Sequence, residues 1–174
     1  MPPIRQRPHR LPREHYRGPV AVAITACVQD RHPAFRDPEI VDTFRTLLDT
    51  AVTTCRCFVP IYCFMPEHLH LILHGRDDLS DTWAAMVAFK QRSGYWFGRN
   101  RPAIHWQGDF YDHVIRADED LYAQVRYTAD NPVRRGLVRV WSEYPYTGAI
   151  GVDLRAMLLD IATDASAMDS RRGP

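Results

Sequence analysis

Apolar and polar positions follow two distinct periods along the chain. From Val20 to Val28 β-branched and apolar residues run almost unbroken, as in a strand, whereas Pro38 to Thr53 places Ile40, Phe44, Leu47, Leu48 and Ala51 at helical spacing. Phe58 to Phe64 predicts a second strand. After a turn around Met65-Pro66-Glu67, His68 to His74 predicts a third, paired with the second as a hairpin. Trp83 to Phe97 predicts a second helix, entered through Ser80 and Asp81, and Ile104 to Ile115 should contain another strand. Asp118 suits the N-cap of a third helix running to about Asn131, where Pro132 disfavours helical geometry in the residue before it. This order of elements predicts an α+β sandwich with helices packed on a mainly antiparallel sheet.

The flanks differ from this pattern. Residues 1–18 carry Arg5, Arg7, Arg10, Arg13 and Arg17 against a lone Glu14, broken by prolines, and are expected to be a basic flexible arm. Residues 19–150 form one domain, and 151–174 is expected to be a C-terminal extension, partly disordered. With 174 residues, 45% of them hydrophobic, the chain fits one compact unit and excludes a (β/α)8 barrel or a nucleotide domain joined to a substrate domain. No apolar run approaches a membrane span, so the expectation is a cytoplasmic protein with no membrane partner. The net charge is +1, but all the basic side chains except Lys90 are arginine, whose planar fork suits phosphate. The four cysteines form no C-x-x-C pair and fit reduced thiols.

Candidate chemistry appears in two elements. In His68-Leu69-His70-Leu71-Ile72-Leu73-His74 the strand period puts the leucines on one face and His68, His70, Ile72 and His74 on the other, expected to be open. Two imidazoles on one rigid surface can hold a divalent cation. On the third helix Leu121 and Val125 mark the inward stripe, while Tyr127 lies about 200° from Val125 and faces outward with Ala123, Gln124, Asp130 and Asn131. Tyr127 is a candidate nucleophile, and Tyr122 on the same helix competes with it. Arg92, Arg99 and Arg101 interleave with Tyr95, Trp96 and Phe97, a composition suited to phosphates and unpaired bases; Arg134 and Arg135 follow the third helix and suit a backbone contact. A zinc module built from Cys55, Cys57, His68 and His70 is a further reading, weakened by its C-x-C spacing. No G-x-x-x-x-G-K-[ST] loop occurs, so ATP is not expected.

Three longer stretches are more specific than any of these features: Met65-Pro66-Glu67-His68-Leu69-His70-Leu71-Ile72-Leu73, Trp106-Gln107-Gly108-Asp109-Phe110-Tyr111-Asp112-His113-Val114-Ile115-Arg116, and Tyr127-Thr128-Ala129-Asp130-Asn131-Pro132-Val133-Arg134-Arg135-Gly136-Leu137-Val138. In this order they closely resemble the REP-associated tyrosine transposases of the single-tyrosine HUH superfamily. The resemblance implies a ferredoxin-like α+β fold and metal-dependent cleavage and rejoining of single-stranded DNA near hairpins of REP-like repeats, through a 5′-phosphotyrosine. It implies His68, His70 and Asn131 as ligands of Mg2+ or Mn2+, Tyr127 as nucleophile, and a monomer or homodimer. The chain departs from the family at Glu67, where Asn is usual, and at Thr128-Ala129-Asp130, which stands for Ile-His-Asn. The alternative is a nucleic-acid-binding domain of the same fold that has lost catalysis.

Overall fold

The alternating segments close into one sheet. In the computed structural model, which describes residues 11–116 and 119–159, the strands are β1 (Ala21–Cys27), β2 (Cys57–Met65), β3 (His68–Gly75), β4 (Tyr111–Ile115) and β5 (Thr147–Ile150). They lie in the order β4-β1-β3-β2-β5, and every pairing is antiparallel. Helix α1 (Pro38–Thr54) joins β1 to β2, and α2 (Thr82–Asn100) joins β3 to β4. Up to β4 this is the β-α-β-β-α-β ferredoxin-like arrangement, with β3 inserted between β1 and β2.

The side-chain period of β3 determines what covers each face. Leu69, Leu71 and Leu73 join Val22, Ile24 and Phe64 against Phe44 and Leu48 of α1 and Met86, Phe89 and Phe97 of α2, all nearly inaccessible. The opposite face, expected to be open, is partly covered. Ile61, Ile72, Ala21 and Ile115 pack there against Val125 and Ala129 of α3 (Leu121–Ala129) and against Leu154 and Leu158. Burial of each large aliphatic side chain contributes about 1.5–3 kcal/mol, which holds α3 against the strand carrying the histidines. Central strand β2 tolerates Pro60 because its pairing shifts there: Val59 belongs to the α1/α2 core and Ile61 to the α3 side.

Several boundaries are sharper than or differ from the sequence expectation. The strand expected within 104–115 is Tyr111–Ile115, and the loop before it is pinned by other means. The Lys90 ammonium donates to the carbonyls of Gln107 (2.7 Å) and Asp109 (3.0 Å), and the Trp106 indole donates to Ser93 Oγ (2.8 Å). Asp118 lies outside the described residues, and the cap of α3 is Asp120, whose carboxylate accepts from the amides of Tyr122 and Ala123. The helix stops at Ala129, and Pro132 opens a separate short helix, α4 (Asn131–Arg134). Strand β5 was not foreseen; the Tyr144 hydroxyl donates to the Phe64 carbonyl (2.8 Å) and helps to seat it beside β2.

The basic arm is docked where it is described. A 3-10 turn at Arg13–Tyr16 buries Tyr16 to 1% exposure against Trp83, while Arg13 and Arg17 face the Asp81 carboxylate at 3.7 and 3.6 Å. A Cβ at Gly75 would lie 2.0 Å from the Gly18 carbonyl, so glycine is what allows this close approach. Residues 1–10, and 160–174 of the expected C-terminal extension, lie outside the described residues.

Candidate active site

The register across the sheet assembles the site floor. Thr25 of β1 pairs directly with His70 of β3 and with Tyr111 of β4, so Tyr111, Thr25 and His70 form one row beneath α3. The Thr25 hydroxyl lies 2.9 Å from His70 Nδ1, and the Nε2 atoms of His68 and His70 are 2.9 Å apart. On the far side, His68 Nδ1 is 3.5 Å from Glu67 Oε1, which also accepts from Arg135 at 2.6 Å. Each Nδ1 thus faces a fixed oxygen, and the two Nε2 atoms converge.

Electrostatics keep the imidazoles neutral. Burial pushes His70 down to about 4, helped by His68 and the Arg134 guanidinium. His68 is also lowered, first by burial, although Glu67 opposes this. Neutral imidazole is the form that ligates metals. Among the described residues no cluster of three or more His, Cys, Asp or Glu could hold a metal, so a cation on the histidine pair would need a third ligand of another type.

Helix α3 provides the other wall. Val125 is fully buried against the sheet and Tyr127 is 58% exposed, as the helical period predicts. Tyr127, Asn131, Gln124 and Thr128 line a cleft of about 330 Å3 together with His70, Thr25, Tyr111 and His113. Asn131 sits at the start of α4 because the chain breaks its helix at Asp130, and its side chain is buried. Its Oδ1 accepts from Arg134 (2.5 Å), whereas its Nδ2 is buried and has no hydrogen-bond partner among the described residues. The Arg134 guanidinium also lies 3.7 Å from the centroid of the Tyr127 ring. Two converging neutral imidazoles and a buried carboxamide with one lone pair still available form an N2O set that fits a divalent cation. Asp130, expected on the same helix face as Tyr127, does not line this cleft.

The other expected residues separate. Arg134 and Arg135 stand beside the cleft, bonded to Asn131 and Glu67. Arg92, Arg99 and Arg101 belong to α2 and the residue after it, and α2 packs on the opposite face of the sheet, so they are not brought to Tyr127. Arg101 is held by Asp37 (3.2 Å) and Glu39 (2.6 Å), Phe97 is fully buried and Trp96 packs against the core, leaving Tyr95 exposed. The zinc reading fails on register, since Cys57 pairs with Gly75, at the other end of β3 from His68. Thr25, the Glu67–Arg135 pair and the stacking of Arg134 on Tyr127 were not foreseen. The β1–β3 register that places Thr25 leaves no local signal in sequence.

Known proteins share this fold. Residues 19–117, more than half of the chain, match the IS200-like transposase family. A Haemophilus influenzae protein named as a REP-associated tyrosine transposase is 26% identical over 135 residues, covering 71% of this chain and 76% of that protein. The Escherichia coli K12 REP-associated tyrosine transposase is 33% identical over 86 residues, 48% of each chain. A solved REP-associated tyrosine transposase, bound to a REP hairpin, superposes with a TM-score of 0.68 at 21% identity, over 82% of both chains. Among the described residues no helix is long and apolar enough to cross a membrane. With its ferredoxin-like sheet and with the histidine, tyrosine and asparagine motifs gathered around one cleft, the chain belongs to the IS200-like transposases, enzymes that cut and rejoin DNA.

Proposed function

We propose that the chain is a metal-dependent single-strand DNA endonuclease and transferase that cuts beside hairpins of REP-like repeats and forms a 5′-phosphotyrosine on Tyr127. The observation that carries this reading is the meeting of Tyr127, His70 and Asn131 in one cleft, with His68 Nε2 turned to His70. The hairpin bound to the solved relative supports the choice of substrate.

His68, His70 and Asn131 would hold Mg2+ or Mn2+, with the imidazole pair favouring Mn2+. A divalent cation bound there supplies positive charge against a non-bridging phosphate oxygen. The packed helix α3 orients the phenol of Tyr127 for in-line attack. The tyrosine oxygen bonds to phosphorus, the bond from phosphorus to the 3′ oxygen breaks, and that oxygen leaves as a 3′-OH once protonated. The phenol proton passes to solvent, to which Tyr127 is open. Arg134, stacked on the ring, adds charge that stabilises the developing phosphorane. Since one phosphoester replaces another, attack by a 3′-OH on the phosphotyrosine rejoins strands without ATP.

The test uses a hairpin oligonucleotide with single-stranded flanks, labelled at either end, in Mn2+. The expected result is a 3′-labelled strand that migrates with the protein through a denaturing gel and a 5′-labelled strand that is shortened and free. Tyr127→Phe should bind DNA and form no adduct, Tyr122→Phe should remain active, and His68→Ala or His70→Ala should abolish cleavage. An adduct surviving Tyr127→Phe, or one bearing the 5′ label, would refute the assignment. DNA binding without cleavage by the wild-type chain would indicate the inactive alternative.

A further inference from the structure

The row that places Thr25 under His70 continues to Tyr111, a 54% exposed aromatic ring on edge strand β4. At a strand spacing of about 4.8 Å, Tyr111 stands roughly 10 Å from His70, room for a phosphate over the histidines and its base over the tyrosine. Across the cleft, Gln124 precedes Tyr127 by one turn on the same face of α3, and its amide makes no hydrogen bond among the described residues. His113 is held at the rim by Glu119 (2.7 Å). Among the lining residues the only carboxylate is Asp112, which accepts from Tyr16. The flanking exposed arginines Arg126, Arg134 and Arg135 give the surroundings the sign that suits an anionic ligand.

We propose that the cleft between β4 and α3 is a nucleotide subsite, in which the unpaired base adjoining the scissile phosphate stacks on Tyr111 and hydrogen-bonds through its edge to Gln124. Stacking on tyrosine accepts any base, whereas a glutamine amide, at once donor and acceptor, bonds to the edge that the stacked base turns toward it. Gln124 therefore sets the base preference at that position. This inference rests on Tyr127 marking the site of cleavage.

The experiment places 2-aminopurine on each side of the mapped cleavage position in a hairpin oligonucleotide and reads its fluorescence on binding to the full chain. Wild type and Tyr111→Phe should quench the probe on one side. Tyr111→Ala should restore its emission and weaken binding about 10-fold. Substrates carrying each of the four bases there should be cut with rates that differ about 10-fold between bases, a preference that Gln124→Ala abolishes. Equal quenching by Tyr111→Ala, or an unchanged base preference in Gln124→Ala, would overturn the subsite while leaving adduct formation on Tyr127 intact. A wild-type chain that forms no adduct would instead overturn the underlying reading.

Discussion

His70 shows how one residue links stability to chemistry. An unfolded histidine titrates near 6.5, whereas His70 in the fold titrates at about 4. Between those values the unfolded chain binds a proton that the folded chain does not, so this contribution is complete above pH 6.5 and is lost as pH falls toward 4. In EDTA, chemical denaturation should show the chain about 2 kcal/mol less stable at pH 5 than at pH 7, and His70→Gln should flatten that part of the profile. Thr25 acts on the same ring by holding Nδ1, so Thr25→Val should weaken Mn2+ binding, measured by calorimetry, about 10-fold or more, while Thr25→Ser restores it. At this scale the histidine pair and the outward Tyr127 were legible, because strand and helix periods alone determine which side a residue faces. Thr25, 45 positions from its partner, was not, because only tertiary register pairs them.

Elements were read well where their pattern was self-contained. Helix α1 begins at Pro38 as expected, because Asp37 caps it and the apolar stripe runs unbroken to Val52. The break after Ala129 was legible in Pro132, but its consequence was not: the break starts a second short helix, with Asn131 buried beside Tyr127. The strand within 104–115 was foreseen without its start, because the buried apolar residues Ile104 and Trp106 continue the pattern although they anchor a loop to α2. Short α3 depends strongly on its cap. Asp120→Ala removes the acceptor for two amides and should destabilise the helix by about 1 kcal/mol, seen as faster hydrogen exchange across α3 and slower adduct formation on Tyr127. Exchange confined to the rest of the chain would disconnect the cap from the site.

For the whole molecule, the order strand, helix, hairpin, helix, strand was enough to predict an antiparallel sheet with helices, but it did not say which face each helix takes. That division matters, because α1 and α2 fill one side and leave the other to α3, the histidines and the cleft. At the aromatic-rich end of α2, Trp96 and Phe97 join the core for the same reason and Tyr95 stays exposed. The N-terminal segment divides similarly. Tyr16 is anchored in the core and Arg13 and Arg17 are engaged with Asp81, whereas Arg5, Arg7 and Arg10 precede the docked turn. Removing residues 1–17 should therefore cost roughly 3 kcal/mol, the scale of deleting a buried aromatic side chain, and lower the melting temperature. Removing residues 1–10 takes away Arg5, Arg7 and Arg10 and keeps the docked turn. Each phosphate contact on a single strand adds about 0.7 to the slope of log affinity against log salt, so loss of three arginines should flatten it by up to about 2. Anisotropy titrations of a labelled hairpin between low and high salt measure that slope. An unchanged slope in the shorter truncation would assign those arginines to solvent and leave the salt dependence to the arginines around the cleft.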